Sequence, residues 1–163
     1  MRWDIEELFE KAMADYLTEQ VGGELSVYMA WEEFEMKYPA AICHVGRSEP
    51  VVESATWHDA RTVMGLVQVV CEIAPETDDD GNTILTARDR NARARSKVLN
   101  ALCSTSLLAD LQAKIIETND DVAVSMAQVS SVERAVEAED RRYISTINIE
   151  AIIEPVTGSA WSQ

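Results

Sequence analysis

Three cysteines, two histidines and 29 acids are the residues of this 163-residue chain best suited to chemistry. Cys43, Cys71 and Cys103 are odd in number, widely spaced, without a CxxC pair and without a His at metal-ligand spacing. Cys43 and Cys71 stand in apolar, strand-like runs, where a thiol acts as a small hydrophobe, so buried structural cysteines are expected. His44 follows Cys43 directly, but neighbouring strand residues point to opposite faces, which rules out a thiolate–imidazole pair. A core or sheet-face histidine is expected instead. Trp57, His58 and Asp59 together would make a small loop site, yet they lack a second ligand or a nucleophile. Glu76, Asp78, Asp80 and Gly81 fit positions one, three, five and six of a calcium loop, but Ala87 then occupies the place of the bidentate Glu. No GxSxG, HExxH, Walker A or GxGxxG pattern occurs. Neither catalysis nor a bound metal or cofactor is expected.

The charge balance excludes further classes. Fourteen Lys and Arg against 29 Asp and Glu give 14 − 29 = −15. Phosphate binding draws on many basic contacts, so a general nucleic-acid binder is excluded, as is docking on an anionic membrane. The opening residues, Met-Arg-Trp-Asp-Ile-Glu-Glu, carry no apolar signal region, and no run approaches the ~18 apolar residues of a membrane span. A reduced, soluble protein made in the cytosol is expected.

The elements that must position these residues are legible from periodicity. Ile5, Leu8, Phe9, Ala12, Met13, Tyr16 and Leu17 form one helical stripe, with Asp4 and Glu7 as a capping box and Gly22-Gly23 as its end. Glu6, Glu7, Glu10 and Asp15 fall off that stripe and are expected in solvent. Leu25–Ala30 and the Pro39-led run Ala40–Val45 read as strands. Gly46–Arg61 reads as a long excursion. Thr62–Ile73 is the clearest strand, with Val63, Gly65, Val67, Val69 and Cys71 on one face and Met64, Leu66, Gln68 and Val70 on the other, mixed one. Asp78–Asn82 is a turn by residue type.

Thr86–Ser104 predicts a second helix with Ala87, Asn91, Ala94, Val98, Ala101 and Leu102 inward. Ser106–Glu117 predicts a third after the Ser104-Thr105-Ser106 break. Val122, Val124 and Met126 open a strand whose phase shifts at Val129, a bulge signal. Glu133–Arg142 is a charge-dense link, with seven ionisable residues in ten. Tyr143–Glu154 alternates cleanly, with Ile147, Ile149, Ala151 and Ile153 inward. Strands grouped around one helical block predict an α+β fold: a single domain over 1–155, an antiparallel or mixed sheet of about five strands with helices mainly on one face, and a polar tail over 156–163.

The acidic first helix, "YPAAICHV", the long loop, "TVMGLVQVVCEIAP", "ARDRNARARSKVLNAL" and "RRYISTINIEAIIEP" together resemble the tail-terminator (tail-completion) proteins of long-tailed bacteriophages, over about Met1–Pro155. The Gly46–Arg61 excursion and the Trp161 tail lie outside that pattern. The resemblance implies a subunit similar in fold to tail-tube proteins. It implies a ring, usually of six copies, that caps the tail tube, ends its polymerisation and meets the head-side connector or stopper at the virion's tail–neck junction after assembly in the host cytoplasm. Its implied partners are other copies, the tube protein and the connector, with DNA sliding through an acidic pore without specific binding. No catalytic residue is implied.

Two other classes fit a motif-poor acidic chain. One is a DNA-mimicking inhibitor, which would need a continuous acidic stripe, whereas here the acids are spread and interrupted by Arg. The other is another phage neck or tail subunit. For self-association, the expected interface residues are Met64, Leu66 and Val70 on the mixed strand face and Trp57 as an aromatic anchor in the loop. Arg88 and Arg95 flank one side of the second helix, Arg90 and Lys97 the other, with Arg93 further out. Arg88 and Arg95 are expected to reach a neighbour's carboxylates, against the alternative of intrachain pairing with Asp89 or the 133–140 acids. Arg141 and Arg142, where the closing strand opens, complete the set.

Overall fold

The side chain of Asp4 accepts the N–H of Glu7 (3.0 Å) and starts the first helix, α1, Ile5–Val21. In the computed structural model, which describes residues 4–29, 35–51, 60–73, 75–138 and 142–155, nine further elements follow. They are β1 (Ser26–Met29), β2 (Ala40–Pro50), β3 (Arg61–Glu72), β4 (Glu76–Thr77), β5 (Thr83–Leu85), α2 (Ala87–Leu102), α3 (Leu107–Thr118), β6 (Val122–Ala138) and β7 (Arg142–Pro155). Five strands form one sheet in the order β1-β2-β3-β7-β6, and β4 and β5 pair only with each other. β1 runs parallel to β2 and every other pairing is antiparallel. The fold is α+β with a mixed sheet and helices packed against it, as expected.

One sheet face is buried because period-two alternation puts Val63, Val67 and Val69 of β3 and Ile147, Ile149, Ala151 and Ile153 of β7 on the same side. The helical stripes of α1, α2 and α3 join them in a single core, each fully buried Ile or Leu contributing ~1.5–3 kcal/mol. Gly65 fits this face for lack of a side chain: a Cβ there would stand 3.4 Å from the Phe9 ring of α1. Tyr16 ties α1 to α2 by donating its hydroxyl to the carbonyl of Ala101 (2.6 Å). Thr86 caps α2 through its hydroxyl, which accepts the N–H of Asp89 (3.2 Å). Ser106 heads α3 without a side-chain cap bond, and its own N–H is taken by the Ser104 hydroxyl.

Several sequence expectations need correction. The Gly46–Arg61 excursion is strand at its two ends: β2 continues to Pro50, which pairs with Arg61, while residues 52–59 lie outside the described residues. A bulge at Gly46, where the register slips between Val45 and Arg47, breaks the apolar alternation and hid the continuation. The described residues of the Glu133–Arg142 link, 133–138 and Arg142, are also strand. β6 runs to Ala138 and β7 opens at Arg142, paired with it. β6 has three register shifts, one between Val129 and Ser131 as its phase change predicts, and alternation fails wherever a bulge intervenes. Gly22 ends α1 in right-handed geometry (φ −61°) rather than as a left-handed cap. The Asp78–Asn82 turn is the tip of the β4–β5 hairpin, with Gly81 at φ +82°, a conformation suited to glycine.

Candidate interface

Glu10 was expected in solvent and is the most buried acid described, 1% exposed. From α1 it reaches β2: the N–H of Val45, two residues beyond the Met29–Cys43 pair of the β1–β2 ladder, donates to Glu10 Oε2 (3.1 Å). The same oxygen lies 3.7 Å from His44 Nδ1. Helical periodicity places Glu10 off the apolar stripe; the β2 backbone N–H that it accepts is what makes a carboxylate useful there. Glu6, one turn earlier, is engaged too, accepting from Arg61 (2.9 Å) and from the hydroxyl of Ser48.

The other end of the sheet is finished the same way. Gln112 of α3 accepts the N–H of Val124 (2.6 Å) and donates to the carbonyl of Val122 (3.4 Å), so its amide does for the start of β6 what a neighbouring strand would do. Beyond that point, among the described residues, β6 has no second partner strand. Gln128 and the run Ser130–Arg134 are exposed there, including Val132 at 41%. A long open edge is a template for pairing unless blunted.

The sheet face away from the helices carries the expected Met64 and Leu66, both half-buried. Register aligns Met64 with Arg47 and Glu150, and Leu66 with His44 and Asn148. Ile42, Ile144 and Ile152 share that face, also half-buried, and a shallow depression of about 470 Å³ lies over Arg47, Met64 and Leu66. Val70 belongs to this face by alternation, but contrary to expectation it is closed off, 3% exposed. It pairs with the buried Ala40. One pleat away on the same face, the Arg142 guanidinium sits 4.6 Å from the centre of the Tyr38 ring. That stack closes this end of the face and engages Arg142 within its own chain.

The arginines of α2 separate as their spacing requires. Arg88 and Arg95 line a depression of about 560 Å³ together with Asp89, Arg134 of β6 and Tyr143 of β7. Arg95 donates to the hydroxyl of buried Ser145 (3.3 Å), which donates to Asn91. Asn91, fully buried, in turn donates to the carbonyls of Val69 and Tyr143 (both 3.2 Å), pinning α2 to β3 and β7. The sequence signal for this network was an Asn inside an apolar stripe. On the opposite flank, Arg90, Arg93 and Lys97 line a separate depression, and Lys97 pairs with Glu24 (2.9 Å).

Cys43 and Cys71 are buried and Cys103 is exposed, the last against expectation because it caps the end of α2 rather than lying in a strand. Burial raises the Cys43 thiol far above its ordinary value, with the Glu10 carboxylate adding to the shift. Burial raises Cys71 as well. Among the described residues, no group of three His, Cys, Asp or Glu is placed to hold a metal, and no helix is long and apolar enough to cross a membrane. Trp57, His58, Asp59, Arg141 and the Trp161 tail lie outside the described residues. No protein-family model matches this sequence, and no curated protein aligns with it significantly.

Proposed function

We propose that this chain is a virion structural protein of a long-tailed bacteriophage, a ring-forming subunit that caps the tail tube, ends its polymerisation and joins the tail to the head-side connector. The observation that carries the reading is that, among the described residues, the helices pack on one face of the sheet. The opposite face offers Met64, Leu66, Ile42, Ile144 and Ile152 half-buried, continuous with the open edge of β6. A face of this kind is a poor solvated surface and a good subunit contact. The element order that resembles the tail-terminator proteins supports the same reading. So does the net charge of −15: repeated around a ring, it repels DNA phosphates and lets DNA slide without adhering. No enzymatic step is assigned to the subunit.

The test is tail assembly. Tube protein polymerised with this protein present should stop at defined lengths, each tube end bearing one ring by electron microscopy. Tubes of unchanged length with bare ends would refute the proposal.

A further inference from the structure

Three guanidinium groups against one carboxylate converge on the depression between α2 and β6, in a chain where acids outnumber bases two to one. Arg95 is held in place by Ser145. No side-chain ion pair or hydrogen bond joins Arg88 or Arg134 to another described residue. Three guanidinium groups with a single carboxylate among the described lining residues repel one another, so the cluster is stabilised when further anionic groups enter it. Guanidinium forks bind carboxylates in bidentate fashion, which favours a carboxylate ligand of fixed geometry.

The β4–β5 hairpin carries such a ligand. Asp78 organises its tip: its carboxylate accepts the N–H of Asp80 (3.0 Å), the N–H of Asn82 (2.8 Å) and the Asn82 side-chain amide (3.3 Å). This leaves Asp79 and Asp80 exposed at the tip, their carboxylates bonded to no other described residue. Ile84 on the same hairpin is 58% exposed. A two-stranded hairpin with no third strand and an exposed apolar side chain is marginal in water and gains from docking. We infer that the Asp79–Asp80 tip of one copy docks in the Arg88/Arg95/Arg134 depression of the next. The two surfaces differ, so the contact is head-to-tail, the type that generates rings when the rotation closes. This rests on the ring reading above and names the pairing that would build it.

Charge reversal with complementation tests it. Asp79→Lys/Asp80→Lys spares the turn held by Asp78, and Arg88→Glu/Arg134→Glu spares the Arg95–Ser145–Asn91 network. Sedimentation of each full-length variant should show association weakened about tenfold or more at low salt, with native circular dichroism retained. A 1:1 mixture should associate again, because each reversed surface then meets its complement. Failure of the mixture to associate, or association of either variant alone at the wild-type level, overturns the contact while leaving the ring reading standing. A wild type that stays monomeric at every concentration, both alone and with tail tubes present, overturns both. Binding of inorganic phosphate by the wild type that the Arg88→Glu/Arg134→Glu variant loses, with association equal in both, would point to an anion site and overturn the docking.

Discussion

At the scale of single residues, the informative positions are those where a polar side chain completes a backbone that the strands leave open. Glu10 supplies the acceptor for Val45 at 3.1 Å in a buried setting. Removing it strands that N–H, so Glu10→Ala should destabilise the fold by ~1–3 kcal/mol in urea denaturation. Unchanged stability would show that the carboxylate is not needed there. Cys43 gives a pH signature. Its raised pKa means that the folded state holds a proton which the unfolded chain releases above ~8.5. The folded state is therefore unpenalised below that pH and loses stability as pH climbs above it, with Cys71 acting in the same direction. The melting temperature should fall from pH 8 to 10, and Cys43→Ala should flatten the fall; an equal slope in the variant would contradict this. The role of Glu10 was not legible in the sequence. Glu10 looks solvated on a helical wheel, and only its tertiary contact with the Val45 N–H of β2 reveals its use. The burial of Cys43 was legible, because an apolar run says where a thiol goes.

At the scale of elements, the apolar stripes of the helices and the inward alternation of β3 and β7 were readable because packing there follows a simple period. The bulged parts of β2 and β6 were not, since each extra residue inverts the phase and turns a strand into an apparent loop. The candidate interface was legible to the same extent. Met64 and Leu66 stand on the open face as alternation required, while Val70 is closed off at the end where Arg142 stacks on Tyr38. Contributions from distant chain segments, such as Arg134 joining Arg88 and Arg95, have no local signature. The difference along β3 gives a paired test. Leu66→Asp should leave the melting temperature within a few degrees and weaken self-association, whereas Val70→Asp, burying a charge, should unfold the protein. Loss of folding in both variants, or of assembly in neither, would show that the open face is not a contact surface.

At the scale of the whole molecule, a covered sheet face, an open one and a net charge of −15 are the features on which the proposed ring subunit rests. The α+β architecture follows from the order of elements, and in the proposed ring a small set of contacts decides how copies meet. Electrostatic repulsion among copies carrying −15 each makes assembly salt-sensitive. Added salt should strengthen contacts made through the apolar face and weaken those made through arginine and carboxylate. The measurement that bears most directly on the central claim is the mass of the assembled species, taken by light scattering on the protein alone and on the protein mixed with tail tubes. A closed ring, formed either freely or only at a tube end, is the predicted result. A protein that remains monomeric in both conditions would contradict the account.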